Sequence, residues 1–392
     1  MQKKKIRILF VTPAYEAGWK YGSGVISSLS ALCKALAGLG HEITVYTTNA
    51  SGEKNPHDVS LDTALDQEGV TVFYFKSTFG SKSSFASRGL SKKIKKTIHN
   101  FDIVYIAALW QWIGISASKY AFKNNVPFIL GIHGGFSQKL RKKSFLKKNL
   151  FKKLFLNRFL QKASGIHLTG NAEKKYAGNW LESLPLFFVS NSADYNKYKP
   201  IKNIRKSYRK KWEIPQKANV LICAARPSWE KRIDVLIEAV KKTENWYFIF
   251  AGDDKNIKAQ EWKKHASKLG VAKKVIWPGY LSNEKLCEAF SAADLFGIVS
   301  ENENFGIVVI EAMLCQLPIL ISKDVGIWEK IKNNDFVYTV EKESEKIADK
   351  LIEFEEKKEI NKKKIREFAI KNFSTEKIAK DFIKEVRRIL SI

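Results

Sequence analysis

No stretch of this 392-residue chain approaches the ~18 uninterrupted apolar residues of a helical membrane span. The nearest, FDIVYIAALWQWIGISA, is broken by Asp102 and Gln111. The opening MQKKKIRILFVTPAYE has the basic start of a secretory leader. Its apolar stretch is too short and no small-residue cleavage site follows, so a cytoplasmic protein is expected. Cysteine is scarce. Cys33, Cys223, Cys287 and Cys315 have neither metal-ligand nor redox spacing, so reduced core thiols are expected. Also missing is a G-x-G-x-x-G turn after a strand with an acidic residue about 20 positions on. GSGVISS lacks the third glycine, which argues against a dinucleotide-dependent oxidoreductase. The chain shows no repeats and no low-complexity segment beyond lysine-rich patches.

Acidic residues are sparse in the first half. Residues 1–200 carry 30 cations and 11 acids, residues 201–392 carry 38 and 29, and the whole chain is +28. Three readings compete: nucleic acid, an anionic membrane surface, or a bias toward lysine. No nucleic-acid recognition motif is present, and the cations are not interleaved with aromatics. A basic nucleic-acid-binding α/β protein therefore stands as the alternative, to be revived only by a strongly salt-dependent DNA affinity.

What is present points to a folded protein. Hydrophobic residues make up 45% and charged residues 28%, and the length suits two domains. KIRILFVTP reads as a strand, GVISSLSALCKALAGLG as a helix with apolar residues Val25, Leu29, Leu32, Leu36 and Leu39, and HEITVYTT as the next strand. That is a parallel crossover unit. It recurs in DIVYIAAL, a helix near 115–124, and PFILGIHGG, and again from NVLICAARP through LPILIS. Two consecutive doubly wound α/β halves are expected, joined near SADYNKYKPIKN. Ligands in such sheets bind outside the carboxyl ends of strands, so motifs belong in loops just after them.

Four segments meet that condition. In SENENFGIVVIEAMLCQLPIL, Glu303 lies in a loop, Phe305-Gly306 opens a helix and Glu311 lies in its first turns. Gly306 at a helix start lets backbone N–H groups approach an anion such as a diphosphate. In AARPSWEKRIDVLIEAV, Arg226 and Lys231 follow a strand, one a fork of donors and the other a point charge. In YGSGVISSLS, Gly24 opens a helix after a Gly-rich turn. In PFILGIHGG, His133 ends a strand of the first half. Asp253 and Asp254 of AGDD are adjacent and point different ways, which does not suit a divalent ion.

The pattern E-x-F-G-x4-E-A followed by a Pro-led strand resembles the signature of retaining glycosyltransferases of the GT-B fold, family 4. The likeness covers nearly the whole chain. It is strongest at 221–330 and weakest at 50–100. Departures are Ser23 and Arg232 where the family has glycine, and likewise Ser192 and Gln316. The resemblance implies two Rossmann-like domains facing a central cleft. The acceptor domain is 1–195, the nucleotide-sugar domain 196–373, and a final helix, 374–392, crosses back. It implies that Glu311 holds the ribose, and that Arg226 and Lys231 clamp the diphosphate with Gly306 and nearby amides assisting. Phe305 and Gly24 are counted with the donor site, and Glu303 and His133 orient the sugar as catalytic residues. No metal or other cofactor is expected.

The implied reaction is retaining transfer of a hexose or N-acetylhexosamine from a UDP- or GDP-sugar. The acceptor is a saccharide or a lipid-linked saccharide, in bacterial surface polysaccharide or lipopolysaccharide synthesis. An inactive GT-B relative and a sugar phosphorylase are further alternatives. Residues 137–162 carry ten cations and no acid. Lys148 and Lys152 interrupt their apolar side, so a clean amphipathic helix is not expected. Lysine stems there still suit an anionic surface, and a peripheral position on the inner face of the cell membrane follows as an expectation.

Overall fold

The computed structural model describes residues 4–16, 24–50, 56–78, 86–136, 156–356 and 360–392. Most of the basic stretch 137–162 lies outside them, as do Gly22 and Ser23. The chain divides into two compact units. The first comprises Met1–Ser192 with Thr375–Ile392, the second Ala193–Ser374.

The first unit holds an eight-stranded sheet. Its strands are β1 (Arg7–Val11), β2 (Glu42–Thr48), β3 (Ala64–Gln67), β4 (Val70–Phe75), β5 (Ile103–Ile106), β6 (Phe128–Gly131), β7 (Gly165–Leu168) and β8 (Leu186–Phe188). The order is β3-β4-β2-β1-β5-β6-β7-β8, all parallel except the β3–β4 pair. β1 and β5 are central and buried, which is why their sequences read as continuous apolar runs and not as alternation. Helices cover both faces, giving two apolar cores. The helix Thr375–Leu390 belongs here. Its Phe382 is fully buried, 5.5 Å from the Tyr105 ring and 6.2 Å from that of Phe10. In the helix Gly24–Gly38, Leu29, Leu32 and Leu36 are buried. Leu39 falls beyond its end, exposed.

The second unit is a six-stranded parallel sheet. It comprises β9 (Asn219–Ala224), β10 (Trp246–Ala251), β11 (Val275–Gly279), β12 (Leu295–Ile298), β13 (Ile319–Ile321) and β14 (Val337–Thr339), in the order β11-β10-β9-β12-β13-β14. The order reverses between β9 and β12, the point where an open α/β sheet leaves a crevice. Asp294, just before β12, accepts from Val220 N–H at 2.9 Å and from Arg205 and Arg209 at 2.6 and 2.7 Å. The Arg209 side chain is 1% exposed and also donates to the carbonyls of Pro215 and Gln216, each at 3.0 Å. This ionic knot fastens the helix Ile204–Lys211 to the starts of β9 and β12.

Candidate active site

The loops after β9 and β12 lie side by side at the reversal and are tied to each other. Glu301 N–H donates to the Glu230 carbonyl at 2.7 Å. The Glu301 carboxylate accepts from Arg232 at 2.5 Å and from Lys342 at 2.9 Å. Those two cations, Lys342 foremost, hold its carboxyl below the usual range. One residue earlier on the first loop, the Lys231 ammonium donates to the Glu303 carboxylate. Both partners are largely buried. The sequence places Lys231 and Glu303 in one motif set but does not pair them. The cation expected on a diphosphate is thus paired with the carboxylate expected on a sugar.

A third loop holds Glu303 in place. Glu303 N–H donates to the Asp324 carbonyl at 3.2 Å, Gly326 N–H to the Glu303 carbonyl at 2.9 Å, and Ile327 N–H to the Phe305 carbonyl at 2.8 Å. A Cβ on Gly326 would sit 2.0 Å from the Asn304 carbonyl oxygen, so only glycine permits this approach. Gly306 adopts φ 89° at the start of the helix Ile307–Leu314. A Cβ there would meet Val325 at 2.9 Å. Phe305, counted with the donor site in the sequence, has its ring 1% exposed, in the core and 6.5 Å from Phe373, where it anchors the loop.

Glu311 lies on the second turn of that helix, its carboxyl hydrogen-bonded to the Tyr198 hydroxyl. Burial pushes it up to about 7 against that bond, and the Cys287 thiol adds to the rise. Tyr198 is missed by sequence reading, since it lies 113 positions away in a polar stretch without periodicity. Cys287 and Cys315, scattered in sequence, hydrogen-bond to each other beside this carboxyl. Arg226 is exposed after β9. Asp254 is paired with Lys263 at 2.8 Å, and among the described residues no three metal-type side chains converge.

Gly24 and His133 belong to the first unit. Gly24 is the exposed first residue of its helix. His133 follows β6 with φ 44°, a left-handed backbone rare for histidine. Glu173, itself buried, fixes the adjoining turn. Its carboxylate accepts from Gly134 N–H and Thr169 N–H, both at 2.5 Å. His133 Nε2 lies 2.8 Å from the Tyr105 hydroxyl, which lies 2.7 Å from His167 Nδ1. Sequence reading missed Tyr105, His167 and Glu173. The available signal was a polar side chain inside each of the apolar runs DIVYIAAL and GIHL, where a polar group needs a partner.

The Glycosyltransferase Family 4 model matches residues 22–223, and the Glycosyl transferases group 1 model residues 204–372. The sulfoquinovosyl transferase SQD2 of Arabidopsis thaliana is 24% identical over 83% of this chain, which spans 61%, less than two thirds, of that relative. The alpha-monoglucosyldiacylglycerol synthase of Acholeplasma laidlawii is 25% identical over 77% of each chain. The crystal structure of Anabaena HepE in complex with UDP and glucose superposes with a TM-score of 0.71, covering 98% of this chain and 100% of that one at 19% identity, a likeness of fold. With its two doubly wound units and the two family models together matching residues 22–372, the chain belongs to Glycosyltransferase Family 4 and is a glycosyltransferase of the GT-B fold.

Proposed function

We propose that the enzyme transfers a hexose or N-acetylhexosamine from a UDP- or GDP-sugar to a saccharide or lipid-linked acceptor, with retention at the anomeric carbon. The Lys231–Glu303 pair, on two tied loops at the reversal of the second sheet, carries this reading. An arriving diphosphate competes for Lys231 and releases Glu303, which then accepts sugar hydroxyls. One contact thereby serves as two binding groups. Arg226, Lys231 and the amides after Gly306 stabilise the charge that grows on the diphosphate as its bond to the anomeric carbon breaks. The departing phosphate oxygen takes the acceptor's proton, and the new bond forms on the same face. No carboxylate nucleophile is required.

Glu311 holds the ribose hydroxyls through its ionised form. Its carboxyl is raised to about 7 in the folded chain, above the ordinary 4.5. The folded state therefore keeps a proton that the unfolded state loses, and this contribution to stability fades as pH rises from 4.5 through 7. Ribose binding runs the other way. Nucleoside diphosphate affinity is expected to tighten about tenfold from pH 6 to 8, as the competent fraction rises. Thermal shift with UDP, GDP, ADP and CMP tests the reading. One diphosphate should stabilise selectively, and Glu311→Ala should abolish the shift. No shift with any of them would sink the donor assignment.

The lipid-linked acceptor is supported by the names of the glycolipid-synthesising relatives and by the positive excess in the first 200 residues. The chain is expected to bind vesicles containing anionic phospholipid at low salt. Binding should be lost as the screening length falls from about 10 Å at 0.1 M to about 3 Å at 1 M. Failure to bind at low salt removes the membrane part of the proposal.

A further inference from the structure

The buried chain His133–Tyr105–His167–Val189 leaves one assignment of protons. The Val189 carbonyl only accepts, so His167 Nε2, at 2.8 Å, must carry a hydrogen. His167 is neutral, because burial lowers it to about 4, so its Nδ1 is bare. The Tyr105 hydroxyl, 2.7 Å away, must donate its one proton there. The Tyr105 oxygen is then an acceptor for His133, whose Nε2 lies at 2.8 Å and must carry the hydrogen. Burial, with the neighbouring His167, lowers His133 to about 3, so it too is neutral and its Nδ1 is bare. That Nδ1 is buried and makes no hydrogen bond among the described residues.

Other observations indicate that the relay is a built device. A Cβ on Gly131 would lie 2.2 Å from the Tyr105 hydroxyl and 2.8 Å from His133 Nε2, so the strand end must be glycine for the two to meet. The Glu173 carboxylate holds the following turn, where His133 and Gly134 both have positive φ. His167 is stacked on Phe187 at 5.2 Å, and Phe382 packs against both Tyr105 and His167. Ring, turn and proton are all fixed before any ligand arrives.

We infer that Tyr105 and His167 are positioning residues that lock His133 in its Nε2–H tautomer, so that its bare Nδ1 accepts from a ligand hydroxyl. The diphosphate of a nucleotide-sugar, esterified at both ends, carries no hydrogen at neutral pH, so this acceptor suits a hydroxyl and not that diphosphate. An unpartnered buried acceptor is destabilising, and a hydroxyl donor removes that cost. That the hydroxyl belongs to a saccharide rests on the function proposed above; the tautomer does not.

The test begins with the ligand-free chain labelled with 15N-histidine. Its six histidines are few enough to resolve, and His133→Asn assigns the signal. His133 and His167 should each show a protonated Nε2 and a bare Nδ1, unchanged from pH 8 to 5. An Nδ1–H tautomer or an imidazolium at His133 overturns the inference, whatever the enzyme transfers. Tyr105→Phe keeps the ring in its aromatic packing and removes the relay. It should release His133 from a single tautomer while His167 keeps its Nε2–H. The rate is measured on whichever of UDP-glucose, UDP-N-acetylglucosamine or GDP-mannose the wild type turns over. It should fall at least about tenfold in kcat with donor KM little changed. A released tautomer with an unchanged rate overturns the positioning role. A wild type that turns over none of the three counts against the donor reading, and the spectrum then decides the relay alone.

Discussion

Lys231→Ala is expected to lower turnover about 10²–10³-fold while leaving the chain folded. The side chain is paired with Glu303. In the proposed reaction it has a second partner, the charge that develops on the leaving diphosphate. Only the second interaction strengthens as the glycosidic bond breaks, so the loss should fall on kcat more than on donor KM. Glu303→Gln is the informative companion. It frees Lys231 from its pair but removes the acceptor for sugar hydroxyls, so it too should slow transfer. Because the two act through one contact, the double variant should be slowed by much less than the product of the single effects. Steady-state rates of the four proteins on one donor settle this. A wild-type rate in Lys231→Ala would remove the basis for placing the diphosphate at these loops.

The second large effect is on stability. Asp294→Ala should destabilise the second unit by about 3–5 kcal/mol, because it strands a buried guanidinium. Arg209 retains carbonyl acceptors from Pro215 and Gln216 but loses the one carboxylate it has among the described residues, and Val220 N–H loses its acceptor as well. For a domain this size that loss corresponds to roughly 6–20 °C in Tm. Asp294→Asn is expected to cost less, since an amide oxygen still accepts from Val220 N–H. Denaturant unfolding followed by tryptophan fluorescence distinguishes them. Equal midpoints for Asp294→Ala and the wild type would show that the knot contributes nothing net, as some buried ion pairs do not.

The fold was legible because its strands are buried on both faces. RILFV, IVYI, NVLICA and LFGI are apolar runs bounded by turn residues, and no other placement hides them. The positions of Lys231, Glu303 and Glu311 after strands were legible from loop and helix signals. Their partners were not. Lys231 and Glu303 are 72 positions apart, and only the β9–β12 adjacency brings them into contact. Tyr198 reaches Glu311, and Cys287 reaches Cys315, through packing that no local periodicity encodes. The burial of the Phe305 ring, which seats the loop, was likewise not legible, since nothing local separates a core phenylalanine from an exposed one there.

The last helix has a consequence for how the molecule is made. The first unit's final strand ends at Phe188, yet Ile378, Phe382 and Val386 of its core are encoded beyond the whole second unit. A ribosome must therefore synthesise residues 193–374 before the N-terminal sheet can close over Tyr105 and His167. The second unit, continuous in sequence, can fold as it emerges. The first must wait half-covered, showing chaperones an apolar face, and the final turns of the chain complete the unit that was begun first.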